Sequence, residues 1–193
     1  RQLKKHRSLN LTLVLDVSGS MGRPATMPSV DGKSTESYAF TLLDTVKHAC
    51  KAIAQQMNDT DVLSLVTFST NALVRFSPQK MTVANRHHFF HTLQSIQVDG
   101  QTNIYAGIER GVDVLRNAAD IAAADALHQV IMLTDGMPNL TPAIGNVKAV
   151  ENLFNAQKHD NFIFTLNALA FGYDDMHSKE LAKLASICNQ GDF

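Results

Sequence analysis

The 193-residue chain has only two cysteines, no internal repeat, no linker-like stretch and no apolar run near the roughly 20 residues that span a bilayer. Each absence narrows the field. Without a long apolar run, this domain is not expected to insert into a membrane. Charged residues make up 18% of the chain and the net charge is −1, so nothing electrostatic recommends nucleic acid or an acidic membrane surface as a partner. Cys50 and Cys188 read as buried free thiols, since cysteine is among the most buried residue types; a pairing between them stays open, because it depends on a Cα separation that sequence does not give. With no linker to divide it, residues 1–193 suit one well-buried domain. The chain starts at Arg1 without a signal-peptide pattern and is expected to be cut from a longer protein, which leaves compartment and oligomeric state open.

What is present is an alternation of two periodicities. Apolar runs at about 9–16, 62–68, 129–134 and 162–171 predict central strands buried on both faces. Ala72-Leu73-Val74-Arg75-Phe76 follows the second run after the short turn Ser69-Thr70-Asn71, which predicts an antiparallel hairpin with Arg75 on an exposed edge. Phe40, Leu43, Val46, Cys50, Ile53 and Met57 recur at helical spacing and predict a helix over about 36–57. Further helices are predicted near 82–96, 103–117, 146–157 and 178–189. Strands alternating with helices imply an α/β fold. Its architecture is expected to be Rossmann-like and three-layered: a mainly parallel sheet with one antiparallel edge strand and helices on both faces. The polar stretch Arg23 to Ser37 is expected to be a long loop.

Oxygen-bearing side chains concentrate where strands end. Asp16-Val17-Ser18-Gly19-Ser20 directly follows the first apolar run. Such donors at the carboxyl edge of a parallel sheet suit a hard divalent cation. Thr102 lies in the glycine-containing loop Asp99-Gly100-Gln101-Thr102-Asn103 ahead of a helix, and Asp135 closes Val130-Ile131-Met132-Leu133-Thr134 ahead of Gly136. The order Asp-x-Ser-x-Ser, then a distant Thr, then a distant Asp resembles the metal-ion-dependent adhesion site of the von Willebrand factor A family. The resemblance covers essentially the whole chain apart from the family's final edge strand and helix, which would follow Asn189-Gln190-Gly191-Asp192-Phe193.

That resemblance implies a site made of Asp16, Ser18, Ser20, Thr102 and Asp135 that holds Mg²⁺, with Mn²⁺ or Ca²⁺ as alternatives. The hydroxyls of Ser18, Ser20 and Thr102 would ligate directly, and Asp16 and Asp135 would act largely through bound water. Neutral hydroxyl ligands leave the ion's charge largely unquenched, so an Asp or Glu of a partner protein can complete the octahedron. The implied role is protein recognition, not catalysis. No His or Glu adjoins the three segments to serve as a base. The runs Val14 to Met21 and Leu133 to Asn139 resemble the branch found in ubiquitin-ligase-like proteins and in proteins joining this domain to Hint modules. Gln101 departs from the family's usual small residue and is expected to crowd the loop or hydrogen-bond across it. The long Arg23–Ser37 segment is a second departure, expected to cover part of the ion.

Other readings compete. Ser18 and Ser20 can open a turn, Thr102 can be a helix N-cap, and Asp135-Gly136 can be an ordinary turn. A phosphotransferase of the haloacid-dehalogenase type would use Asp16 as nucleophile with Asp174 and Asp175 on Mg²⁺, but Ser18 stands where its acid/base aspartate belongs. A metal-free packing module is the third alternative. Gly32-Lys33-Ser34 fails as a phosphate loop because Met27 occupies its first glycine position and no strand is predicted before it. His87, His88 and His91 lack the acidic residue of a zinc-protease helix and read as a solvated face. Of the glycosylation-type triplets at Asn10, Asn58 and Asn139, the first falls in a predicted core strand.

Overall fold

The computed structural model describes residues 7–28, 35–135, 138–171 and 175–188. In chain order these form β1 (Leu9–Asp16), a 3₁₀ turn (Gly19–Gly22), β2 (Pro24–Pro28), β3 (Thr35–Thr41), α1 (Leu42–Gln56), β4 (Val62–Phe68) and β5 (Ala72–Lys80). There follow α2 (Val83–Ser95), α3 (Ile104–Asn117), β6 (Leu127–Thr134), α4 (Asn146–His159), β7 (Thr165–Ala170) and α5 (Asp175–Cys188). Five strands make one sheet in the order β5-β4-β1-β6-β7. Only β5 runs antiparallel, against β4; β1, β4, β6 and β7 are parallel.

The alternation of β1 divides the core into two. Leu11, Leu13 and Leu15 pack with Leu63, Leu65 and Leu133 against α1 and α2, where Val46, Cys50, Phe89 and Leu93 meet them. Val14 packs with Val66, Val130 and Met132 on the opposite face, against α3, α4 and α5. The expected three layers are therefore present, with β4 buried along its whole length and β1 buried from Asn10 onward. On the second face α3 lies unusually close to the sheet. A Cβ on Gly111 would stand 2.5 Å from a Val14 methyl carbon, and one on Gly107 would stand 2.7 Å from the Phe68 ring.

Three boundaries differ from expectation. The helix predicted from residue 36 begins at Leu42, because Thr41 caps it. The Thr41 hydroxyl accepts from Asp44 N, and Asp44 in return accepts from Thr41 N at 3.0 Å. Phe40 matches the helical period but lies in β3 and is 56% exposed. The expected loop Arg23–Ser37 is instead partly sheet, since β2 pairs antiparallel with β3 in a separate two-stranded ribbon. Prolines at both ends of β2 masked that strand, and ribbon edges are where proline is tolerated. A strand thus does precede Gly32, although Met27 still lacks the required glycine; residues 29–34 themselves lie outside the described residues. Finally, the run at 162–171 yields a six-residue strand at the sheet edge, not a central one. Among the described residues β7 pairs with β6 alone, so Leu169 is 43% exposed.

Smaller expectations fare as follows. Arg75 is exposed on β5, and its Nε donates to Thr67 Oγ1 at 3.0 Å. Asn10 is fully buried, with its amide donating to Leu115 O, which removes it as a glycan acceptor. His87 and His88 are exposed beside the buried Phe89 and the half-buried Phe90. The predicted turn at 189–193 lies outside the described residues. No described helix is long and apolar enough to cross a membrane.

Two outcomes follow for the fold. Gly111→Ala should destabilise the protein by about 1–3 kcal/mol, since Val14 or the helix must shift to make room, read as a lower midpoint in urea unfolding. Cys50 and Cys188 are buried and unpaired, and burial pushes both thiols up to about 12. Ellman's reagent at about pH 8 should find no thiol in the native protein and both after unfolding.

Candidate functional site

The sheet order fixes where a site can form. From β1 the chain leads to α1 on one face, and from the neighbouring β6 it leads to α4 on the other. The loops leaving these adjacent strands therefore part and open a crevice at their carboxyl ends, the usual ligand position in open parallel sheets. Asp16 is the last residue of β1 and Asp135 follows the last residue of β6.

The loops around this crevice are tied by backbone hydrogen bonds. Asp99 N donates to Val17 O at 2.6 Å and Gly19 N to Gly100 O at 3.1 Å, joining the Ser18 and Thr102 segments. Asn103 N donates to Ser69 O, and Gln101 N donates to Thr70 Oγ1, which brings in the β4–β5 turn. Gly100 has φ +63°, and a Cβ there would stand 2.7 Å from Thr70 Oγ1, so both conformation and space demand glycine. Asn139 clamps the remaining side: its Oδ1 accepts from Thr102 N, while Asn139 N and Leu140 N both donate to Thr102 O. Asp16, Ser18, Ser20, Thr102 and Asp135 thus converge on one edge from three distant segments.

Competition for the Thr102 hydroxyl is resolved here. The N-cap of α3 is Asn103, whose Oδ1 accepts from Ala106 N at 3.1 Å. Thr102 is not the cap, yet it is 1% exposed. Gln101, expected to crowd the loop or hydrogen-bond across it, is exposed, and its backbone N–H donates to Thr70 Oγ1 of the β4–β5 turn.

The electrostatics are those of two buried carboxylates. Asp16 is fully buried; its Oδ1 accepts from Ser18 N at 2.8 Å and its Oδ2 from Thr134 Oγ1 at 2.5 Å. Burial raises its carboxyl above the ordinary 3.8, hydrogen bonds from Ser18 and Thr134 oppose that shift, and the charge of Asp135 adds to it. The Asp135 side chain is 1% exposed; its Oδ2 meets Arg23 Nη2 at 3.0 Å, while its Oδ1 is buried without a hydrogen-bond partner. Ser18 Oγ and Ser20 Oγ lie 3.1 Å apart.

Chemically, this is a set of hard oxygen donors with one carboxylate oxygen unsatisfied, which fits a divalent cation such as Mg²⁺. Among the described residues no three His, Cys, Asp or Glu side chains gather as a cation site. A cation here would depend on hydroxyls. Asp174, required by the phosphotransferase alternative, lies outside the described residues, and Asp175 starts α5. A groove of about 450 Å³ between α1 and α2, lined by Phe40, Lys47, Lys51 and Phe90, contains none of the five site residues.

Three participants were not singled out from sequence. Thr134 carried a readable signal, a hydroxyl at the buried end of a strand beside Asp135. Asn139 and Arg23 carried none, because their partners lie 37 and 112 residues away.

Known proteins share this fold. The profile described as "von Willebrand factor type A domain" matches residues 11–137, well over half of the chain. Inter-alpha-trypsin inhibitor heavy chain H2 of Mesocricetus auratus is 25% identical over 86% of this chain and 16% of its own length. Heavy chain H1 of Bos taurus is 27% identical over 93% of this chain and 18% of its own. The chain therefore spans less than a fifth of these curated relatives. A solved von Willebrand factor type A structure from Catenulispora acidiphila aligns with a TM-score of 0.71 at 20% identity, covering 94% of this chain and 37% of the other. By sequence profile and by sheet topology, the chain belongs to the von Willebrand factor type A domain family.

Proposed function

We propose that this domain recognises a protein partner through a divalent cation, Mg²⁺ foremost, held at the edge where β1 and β6 end. The observation that carries this reading is Asp135 Oδ1, a buried carboxylate oxygen without a hydrogen-bond partner. An unsatisfied buried oxygen of this kind is costly and is rarely left so without a role. Ser18, Ser20 and Thr102 would hold the ion through neutral hydroxyls. Asp16 and Asp135 would supply charge balance and orient hydroxyls and water. Thr134 and Ser18 N fix the Asp16 carboxylate for that task. Bound there, the cation supplies positive charge for an aspartate or glutamate of the partner protein.

Domains of this family typically mediate protein interactions, and the site offers little for hydrolysis. Among the described residues, the groups bonded to the two carboxylates are hydroxyls, a backbone N–H and a guanidinium, none of them a general base. Recognition is the better reading.

Titration calorimetry with MgCl₂ tests it directly. Wild-type protein should bind one ion, and Asp16→Ala and Thr102→Ala should each weaken binding at least about tenfold while circular dichroism stays native. A wild-type protein that takes up neither Mg²⁺ nor Mn²⁺ would leave only a metal-free interaction module.

The metal-free protein should also carry a pH signature. Because the folded value of Asp16 lies above the unfolded one, its ionisation opposes folding. That penalty is absent below the unfolded value and grows as pH rises through the folded one. In EDTA, the melting temperature of Asp16→Asn relative to wild type should climb between about pH 4 and pH 7. A difference that stays flat across this range would contradict the assignment.

A further inference from the structure

Arg23 is the one cationic side chain among the described residues in direct contact with either buried carboxylate. Its Nη2 lies 3.0 Å from Asp135 Oδ2. Its Nε and its backbone N both donate to Ser20 O at 3.1 Å, so the guanidinium is held over the Ser18–Ser20 turn itself. The two partners differ sharply in exposure: the Arg23 side chain is 55% exposed, whereas that of Asp135 is 1% exposed. An ordinary surface ion pair adds little. Here, however, one charge is buried, and without a cation beside it that carboxylate would be uncompensated.

We propose that Arg23 is a built-in counter-ion that stands at Asp135 in the metal-free protein and gives way when a divalent cation binds. Guanidinium and metal thus compete for one carboxylate. The inference rests on the divalent-cation reading of the site and deepens it by naming the residue that sets its affinity. Two positive charges beside one carboxylate repel each other in a poorly hydrated site. Of the two, the arginine is the one able to leave, since half of its side chain already faces water. Its exit breaks the contacts to Asp135 and the Ser20 carbonyl, while its backbone stays anchored by Leu42 N donating to Arg23 O at 2.9 Å. Arg23 is a positioning residue for the metal-free state and a brake on metal entry.

Two measurements on the whole chain test this. First, calorimetric Mg²⁺ titration of wild type and Arg23→Met should show about tenfold tighter binding in the variant, whose melting temperature in EDTA is lower than that of wild type. Second, the Arg23 Nε–Hε resonance of ¹⁵N-labelled wild type, assigned by its absence in Arg23→Met, should shift and exchange faster with water once Mg²⁺ saturates. Wild type that binds while a folded Arg23→Met binds equally or more weakly overturns the competition and leaves the metal reading standing. So does an Arg23 resonance unmoved at saturation, a result that needs no variant affinity. If neither protein binds Mg²⁺ or Mn²⁺, both the inference and the metal reading fall together. Metal uptake by Arg23→Met alone would support the brake in its strongest form.

Discussion

Two carboxylates buried at the ends of neighbouring strands set the terms for the rest of this edge. The charge of Asp135 raises the cost of ionising Asp16, and burying a charge costs several kcal/mol before any compensation. The surrounding residues can be understood as partial answers to that cost. Ser18 and Thr134 donate to Asp16, Arg23 neutralises Asp135 from the solvent side, and one oxygen is left with nothing. A packing module would have little reason to keep such an arrangement, because apolar residues in its place are usually neutral or better for stability.

Holding the arrangement together falls to backbone more than to side chains. The Ser18, Thr70, Thr102 and Asn139 segments come from four separate connections, yet each is bonded to a neighbour through main-chain groups. Loops braced in this manner lose little entropy when a ligand arrives, which favours a grip formed in advance.

Much of this was legible in the chain itself. The apolar run at about 9–16 marked β1 as a strand buried on both faces, and Asp-x-Ser-x-Ser at its end marked the edge. The errors have local physical causes. Phe40 happened to continue the period of α1, while the true start was written three residues apart as Thr41 and Asp44, a reciprocal cap that outweighs one apolar match. The β2–β3 ribbon was hidden because prolines and polar residues dominate it. The apolar run around β7 suggested a central strand, yet Phe162 and Phe164 bury themselves against His128 and Phe154 beyond the strand proper. Arg23 was unreadable in principle: an ion pair closed across 112 residues leaves no trace in local pattern.

The glycines of α3 carry one further implication. With Val14 and Phe68 seated where side chains of Gly111 and Gly107 would be, this helix is keyed to the sheet at two points one turn apart. A helix fixed in this way cannot slide along or roll over its strands without a collision, so Thr102 at its head is a stationary post. Any movement at this edge would fall to the turn that runs from Ser18 into the ribbon.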